Sequence, residues 1–340
     1  MKVFLTGHLG YVGNVLAKML IEQNFEVKGC DVGFFPQGFT DEKIPKFDSI
    51  KKDIRDLEKN DLEGCDAVIH LAALSNDPLG ELNSSLTNDI NFLSGIHLAE
   101  LSKQVGIERF VFSSSCSTYG VNEEIVNESS SLEPLTAYAK SKVDSEKTLI
   151  KMKDESFSPV MLRNATAYGV SPSQRLDIVV NNLTSSAFTT GSVKLLSDGT
   201  AWRPLVHVED MSKAFIVALK SPKDKVSGEI FNVGSNEDNF SVREIAEMVE
   251  EIVPESKIEF SEDASKDSRS YKVNFDKIKN QLGFKTDWNL KEGVKQIYEI
   301  LKKKNFSEVD FKDKDFHRMA NIKWLIEQEK IDNNLRFISP

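Results

Sequence analysis

Cysteine is scarce in this chain of 340 residues, and its three cysteines form no recognisable pattern. Cys30, Cys65 and Cys116 are odd in number and far apart, and they make neither a CxxC pair nor a zinc-ligand spacing with the five histidines. This pattern argues against a disulfide framework and a structural zinc site. We therefore expect a protein of a reducing compartment that binds no metal.

The sequence also lacks a hydrophobic run long enough to cross a membrane, which takes about 18 uncharged residues. Its start, MKVFLTG, predicts a strand that leads into a glycine loop. An export signal would instead have a basic region, an apolar stretch and a small-residue cleavage site. We expect a cytoplasmic protein with no membrane insertion.

Positive charge is in deficit, because 43 Lys and Arg residues stand against 53 Asp and Glu residues and give a net charge of −10. This balance disfavours nucleic acid and acidic membranes as partners. It leaves room for a local basic pocket around a small phosphate ligand. We therefore predict a small-molecule partner and no nucleic acid.

Short apolar runs alternate with segments of helical periodicity through the first half of the chain. The runs are KVFLTG, FEVKGCD, DAVIHLAA, RFVFSSS and SPVMLRN. This alternation is typical of βαβ units and predicts an α/β fold with a doubly wound parallel sheet.

The last two-fifths of the chain has a different character, with loops rich in Ser, Asp and Asn, a strand at GEIFNVG and two amphipathic helices, around Val242 to Ile252 and Leu290 to Lys302. We predict a Rossmann core over residues 1–165, with returning segments from about 205–235, and a smaller C-terminal α/β substrate domain over 166–305. Residues 306–340 form a charged extension with scattered apolar residues, which we interpret as packed or in contact with a second subunit.

Three glycines follow the first predicted strand directly. Gly7, Gly10 and Gly13 in TGHLGYVGN open a helical segment, a context in which they allow a tight turn and bring backbone N–H groups to a pyrophosphate at the helix N-terminus. Asp31 ends the second strand, where a carboxylate accepts hydrogen bonds from an adenosine ribose. Val32 offers no cation for a ribose phosphate, so NAD is preferred over NADP. The alternative is a tight glycine turn with no ligand.

Tyr138 and Lys142 lie four residues apart in AYAKSK, which places both on one face of a predicted helix. A phenol with a pKa of about 10 is a poor base at neutral pH, but a neighbouring cation favours the phenolate. Ser115 ends a predicted strand, where it could bind the same substrate hydroxyl. Without the glycine loop, this spacing would indicate only two neighbouring residues on the surface of a helix. With the loop, it predicts a catalytic pair.

These motifs together resemble the extended short-chain dehydrogenases/reductases of the nucleotide-sugar epimerase/dehydratase group, from Met1 to about Leu301. The resemblance implies an NAD cofactor, a nucleotide-diphosphate sugar as substrate and a homodimer. It assigns Ser115 as the active-site hydroxyl, Tyr138 as the base and Lys142 as its partner. The cofactor-binding residues that it implies, besides Tyr138 and Lys142, are Gly7, Gly10, Tyr11, Val12, Gly13, Asp31, Asp53, Ile54, Leu71, Ala72, Ala73 and Asn91.

The resemblance also implies a set of substrate-binding residues. Asn182 and Leu183 fall on a pair that touches the nucleotide, Arg203 falls on an arginine that clamps the substrate diphosphate, and Arg269 falls near a second such arginine. Two arginines suit a pyrophosphate because guanidinium groups make charged, bidentate contacts. Thr166 stands where the family commonly has an asparagine that contacts the substrate. Ordinary surface arginines are the alternative reading of both positions.

One departure from the family bears on the reaction. Sugar 4,6-dehydratases carry an Asp-Glu pair directly after the active-site hydroxyl, because elimination of water needs an acid and a base there. Cys116 and Ser117 occupy those positions here, and neither does that work readily at neutral pH. The dehydratase hypothesis is weakened accordingly.

The leading hypothesis is an NAD-dependent epimerase that oxidises and re-reduces a sugar ring carbon, C4 by preference. A 4-dehydrogenase or a 4-keto-sugar reductase would use the same residues in one direction. A non-catalytic NAD-sensing protein is disfavoured, because a sensor does not need Ser115, Tyr138 and Lys142. The nucleotide, the sugar and the stereocentre stay open.

Overall fold

The computed structural model describes residues 1–41, 45–75, 83–265 and 270–338. The strands are β1 Lys2–Thr6, β2 Glu26–Asp31, β3 Asp48–Lys51, β4 Ala67–His70, β5 Arg109–Ser115, β6 Ile125–Val126, β7 Ser158–Asn164, β8 Thr166–Tyr168, β9 Ser192–Ser197, β10 Trp202–His207, β11 Ile230–Val233, β12 Asn239–Ser241, β13 Lys257–Ser265 and β14 Lys272–Val273. The α-helices are α1 Tyr11–Glu22, α2 Ser84–Asn88, α3 Ser94–Gln104, α4 Ala137–Met152, α5 Val179–Thr190, α6 Val208–Lys220, α7 Lys223–Val226, α8 Val242–Ile252, α9 Asp276–Leu282, α10 Leu290–Lys303, α11 Glu308–Phe311 and α12 Arg318–Glu327.

Seven strands form one parallel sheet in the order β11-β7-β5-β4-β1-β2-β3. The five strands predicted in the first half of the chain all belong to it, and GEIFNVG contributes β11. The chain runs outward from β1 to β3 and then returns to the other side of β1 as β4. This reversal between β1 and β4 is the switch point at which open α/β sheets bind ligands, and it confirms the doubly wound class.

Helices cover both faces of this sheet because its strands alternate apolar side chains between them. Val3 and Leu5 pack on one face in a cluster that includes residues of α1 and α6. Phe4 points to the other face, where the cluster includes residues of α3 and α4. Both faces are therefore buried, as the apolar strands predict.

The smaller part of the molecule is built around a third cluster. Its sheets are the three-stranded β12-β10-β8 and the pair β13-β9, while the short pair β14-β6 packs on the cluster that includes α1 and α6. Helices α5, α8 and α10 contribute its core, and α8 and α10 are the two amphipathic helices that the sequence predicts. Within the described ranges, no helix is long and apolar enough to span a membrane.

The C-terminal extension packs on the chain itself. Ile322, Leu325 and Leu335 join the cluster on the α3 side of the large sheet. Phe306, at the start of the extension, joins the cluster of the smaller part and lies edge-on to the ring of Phe39. The extension thus connects the two parts of the molecule.

Candidate active site

A cavity of about 1030 Å³ opens at the carboxyl ends of the strands around the switch point. Most of the predicted site residues line it. They are Gly7, Gly10, Tyr11, Val12, Gly13, Asp31, Asp53, Ile54, Leu71, Ala72, Ala73, Ser115, Tyr138, Lys142, Thr166, Asn182, Leu183 and Arg203.

The glycine loop at the floor of the cavity is too tight for side chains. Gly7 has a φ of +76°, and the Gly10 N–H donates to the Gly7 carbonyl at 2.9 Å. A Cβ added at Gly13 would lie 2.0 Å from that carbonyl oxygen, so the turn requires glycine. Helix α1 begins directly after it at Tyr11, with no side-chain cap and no acidic residue in its first turn. Its positive N-terminus therefore suits an anion.

Asp31 is held in place at the end of β2. Its carboxylate accepts hydrogen bonds from the Leu9 N–H at 3.0 Å and the Gly33 N–H at 2.8 Å. Asp53 lies beyond it, after β3, where both of its carboxylate oxygens accept hydrogen bonds from the Arg55 guanidinium, at 3.0 and 2.7 Å. Two fixed carboxylates therefore stand at the end of the cavity formed by β2 and β3.

Tyr138 and Lys142 lie in the first turns of α4. The helix begins there because the Thr136 hydroxyl accepts from the Ala139 N–H at 3.2 Å. The Lys142 ammonium donates to the Ser113 carbonyl at 2.7 Å and lies 5.5 Å from the centre of the Tyr138 ring. Burial lowers the pKa of Lys142 to about 7.

Ser115 presents its hydroxyl at the end of β5. The oxygen accepts from the Ser117 N–H at 3.1 Å and from the Ser117 hydroxyl at 2.9 Å, which leaves the Ser115 O–H to donate to a ligand. Cys116 is buried and its thiol donates to the Arg163 carbonyl at 3.2 Å. Burial raises the pKa of Cys116 far above its usual value, so the thiol is not a nucleophile here.

A buried ion pair supports these strand ends from behind. The Arg163 guanidinium donates to both oxygens of Glu146, at 2.9 and 2.7 Å, and both side chains are only 2% exposed. Glu146 also accepts from the Ser114 hydroxyl at 2.5 Å. Since Glu146 lies one helical turn after Lys142, the pair fixes α4 against β5 and β7.

The comparison with protein families decides which kind of protein this is. A model described as the NAD dependent epimerase/dehydratase family matches residues 3–234, more than half of the chain. The chain belongs to this family. NAD is its cofactor, and the glycine turn, the open N-terminus of α1 and the fixed carboxylate of Asp31 fit that group.

Named relatives in this family catalyse different reactions. The UDP-glucose 4-epimerase of Corynebacterium glutamicum is 29% identical over 271 residues, which cover 74% of this chain and 80% of that protein. The UDP-glucuronic acid decarboxylase 1 of Arabidopsis thaliana is 26% identical over 87% of this chain and 69% of that protein. Among solved structures, MoeE5 in complex with UDP-glucuronic acid and NAD has a TM-score of 0.78 and 26% identity, and the match covers 89% of this chain and all of that chain.

One predicted residue that the structure describes, Asn91, is not part of the cavity lining. Asn91 is buried behind it, where its side-chain oxygen accepts from the Leu74 N–H at 2.8 Å and its amide group donates to the Leu74 carbonyl at 3.1 Å. The structure thus places Asn91 as a support for the segment after β4 and not in the lining. Arg269 lies outside the described residues.

The substrate side of the cavity is lined by α5 and β8 to β10. The Asn182 amide group donates to the Leu176 carbonyl at 2.7 Å, which orients the start of α5. Arg203 lies in β10, and Thr166 lies in the neighbouring strand β8. These predicted substrate-binding residues line the same cavity as Tyr138, the predicted base.

The structure adds lining residues that the sequence reasoning missed. Arg175 and Asp177 line the cavity just before α5, and Arg318 and Lys323 reach it from the C-terminal extension. The Arg175 Nε donates to Asp177 at 2.8 Å, and an Arg-x-Asp triplet directly before an amphipathic helix was the available signal. No local pattern marked Arg318.

Among the described residues, no group of three or more His, Cys, Asp or Glu side chains is placed to hold a metal ion.

Proposed function

We propose that this protein is an epimerase of nucleotide-diphosphate sugars that oxidises and re-reduces C4 of the sugar ring. The observation that carries the proposal is the arrangement of Tyr138, Lys142 and Ser115 around one cavity large enough for a dinucleotide and a nucleotide sugar. The 4-epimerase named among the relatives supports the same reaction.

Tyr138 is the base in this reaction. Its phenolate takes the proton of the sugar hydroxyl while Ser115 donates a hydrogen bond to the same oxygen. The Lys142 ammonium lies near the ring and stabilises the phenolate, which in turn favours the charged form of a lysine whose pKa burial has lowered. NAD held by the glycine turn, the N-terminus of α1 and Asp31 would supply the hydride acceptor and donor chemistry that inversion of the ring carbon needs. Tyr138 then returns its proton to the oxygen.

The residues after Ser115 favour this reaction over elimination of water. A dehydratase needs an acid and a base close to the neighbouring ring carbons, but Cys116 is buried with its thiol bound to a backbone carbonyl. Ser117 lines the cavity as a neutral hydroxyl bound to Ser115. We therefore expect no 4-keto-6-deoxy sugar from any nucleotide hexose.

The test is product analysis with a panel of UDP-, dTDP-, GDP- and CDP-hexoses, by chromatography and proton NMR. The proposal expects one substrate to equilibrate with its C4 epimer without net formation of NADH. Stoichiometric NADH would show a one-way dehydrogenase instead. Accumulation of a 4-keto-6-deoxy product would contradict the epimerase assignment.

A further inference from the structure

The C-terminal extension contributes to the cavity wall, although it lies outside the residues that match the family model. His317, Arg318, Met319 and Lys323 come from α12 and the residue before it, and Leu335 comes from the segment that follows. The Arg55 guanidinium donates to the carbonyl of Asn334 at 3.0 Å, which attaches the end of the extension next to Asp53. The extension is therefore part of the site.

Arg318 is a buried cation whose hydrogen bonds are incomplete. It is 3% exposed, its guanidinium lies 4.1 Å from the centre of the Phe35 ring, and its Nη2 donates to the Ser173 hydroxyl and carbonyl at 2.9 and 3.0 Å. Its Nη1 has no hydrogen-bond partner among the residues that the structure describes. A buried N–H of a charged group without a partner is costly unless a ligand completes it.

Arg175 lies beside Arg318 and is also a buried cation with incomplete hydrogen bonds. It is 8% exposed, and its Nη2 also has no partner within the described part of the chain. Asp177 accepts from the Arg175 Nε at 2.8 Å and from the Arg318 backbone N–H at 3.3 Å, so this carboxylate bonds to the Arg175 guanidinium and to the backbone of Arg318. Burial and the repulsion from Arg175 lower the pKa of Arg318 to about 9. The charges of Asp177 and Asp31 oppose that shift, but the Nη1 of Arg318 has no hydrogen-bond partner among the described residues.

The two arginines adjoin the N-terminus of α1. Ser173, which binds Arg318, belongs to the same short loop as Ser171, whose hydroxyl donates to the Tyr11 carbonyl at 2.7 Å. The Tyr11 hydroxyl donates to the Gly169 carbonyl at 2.8 Å at the start of that loop. Arg175, Arg318 and the first residue of α1 therefore line the same cavity, and one short loop joins them.

We propose that Arg318 and Arg175 form a cationic subsite for a diphosphate, that of the NAD cofactor, and that the C-terminal extension thereby completes the cofactor site. Guanidinium groups make charged, bidentate hydrogen bonds to phosphate oxygens, and a diphosphate carries enough charge to balance both. The position next to the glycine loop favours the diphosphate of NAD over that of the nucleotide sugar. The subsite rests on NAD as the cofactor and not on the epimerase reaction.

An extension that closes over the cofactor suits an enzyme that regenerates NAD within each cycle, because such an enzyme has no need to release it. Dissociation of NAD then requires that Arg318 give up its contacts with the diphosphate. We expect slow release of NAD from the wild-type protein and faster release when Arg318 is replaced.

The test measures binding by calorimetry for Arg318→Gln, with Lys312→Gln as the control, since Lys312 is an exposed cation of the same extension that pairs with Glu308. The ligands are NAD, ADP-ribose, adenosine, NADP and UDP. For Arg318→Gln we expect affinity for NAD and ADP-ribose to fall by about 10- to 100-fold, as loss of a charged hydrogen bond predicts. Affinity for adenosine and UDP should stay within about twofold, and the control should match the wild type.

Each other outcome would overturn the assignment. Unchanged affinity for ADP-ribose would remove Arg318 from diphosphate binding, and an equal loss for adenosine would show a merely structural role. A loss confined to UDP would transfer the subsite to the nucleotide sugar, and a loss confined to NADP would transfer it to a ribose phosphate. Arg318→Lys keeps the positive charge but lacks the paired N–H donors of a guanidinium group, so its affinity for ADP-ribose should fall by a smaller factor. This variant supplies the test if Arg318→Gln does not fold. None of these readings requires turnover, so they stand apart from the test of the epimerase reaction.

Discussion

Tyr138 is the residue on which the proposed chemistry depends. The Tyr138→Phe substitution removes one oxygen and leaves the ring next to Lys142. We expect turnover to fall by at least ~10²-fold, the contribution typical of a general base, while NAD affinity and the melting temperature stay near those of the wild type. The measurement is the rate of epimer formation in both proteins. Near-normal turnover would remove Tyr138 from the mechanism.

Lys142 opposes the stability of the fold through its own burial. The pKa of Lys142 falls from 10.5 to about 7 on folding, so between these pH values the unfolded chain binds a proton that the folded chain has released. The contribution of Lys142 to the free energy of unfolding therefore rises with pH between about 7 and 10.5. We expect Lys142→Met to be more stable than the wild type at pH 7 and below, by about 5 kcal/mol at most, even though it loses turnover.

Urea unfolding of Lys142→Met and the wild type at a series of pH values measures that difference. It should shrink steadily as the pH rises from 7 toward 10.5, because removing the proton that the lysine carries in the unfolded chain then costs less free energy. A difference that does not change with pH would show that the ammonium is well accommodated in the folded protein.

The glycine loop before α1 is the element that the cofactor site requires most strictly. In Gly13→Ala the new Cβ would meet the Gly7 carbonyl oxygen at 2.0 Å, so the turn must open and the backbone N–H groups move away from the diphosphate. Loss of one charged hydrogen bond alone would lower NAD affinity by about tenfold, and we expect a larger fall here. Ala17→Gly, in the same helix, is the control for helix stability and should leave NAD affinity unchanged.

The pairing of α4 with β7 through Glu146 and Arg163 is a second point at which an element can be tested. Glu146→Gln leaves a buried guanidinium without its charge partner, which costs about 3–5 kcal/mol. Glu308→Gln breaks an exposed ion pair in α11 and should cost less than about 0.5 kcal/mol. Chemical unfolding of both variants compares the two values, and equal small losses would contradict the structural role of the buried pair.

Local patterns explain why so much of this element structure could be predicted. Strand β1, the loop at Gly7 to Gly13 and helix α1 follow one another within one βαβ unit, so each signal supports the next. The placement of Arg318 had no such signal, because it depends on an extension that crosses from Phe306 to Leu335 between two separate hydrophobic clusters. Contacts between residues so far apart in sequence leave no periodicity to recognise.

At the scale of the whole molecule, the cofactor preference depends on the surroundings of Asp31. The two cations that follow β3 are already paired, since Lys52 binds Asp61 at 2.8 Å and Arg55 binds Asp53 at 2.7 Å. A 2′-phosphate would face the Asp31 carboxylate, so we expect NAD to bind much more tightly than NADP. Calorimetric titration with both dinucleotides measures this, and equal affinities would contradict it. The division of the chain at residues 165 and 305, the homodimer and the cytoplasmic location stay predictions.

The central claim is that the hydride removed from the sugar is returned to the same sugar. Isotope transfer tests this claim most directly. A nucleotide sugar that equilibrates with its epimer is prepared with deuterium at C4 and incubated with the protein in ordinary water. We expect deuterium to stay at C4 of the epimerised product, with none lost to water, because the hydride moves only between the sugar and NAD. Loss of the label from C4, or inversion at a different ring carbon, would contradict it.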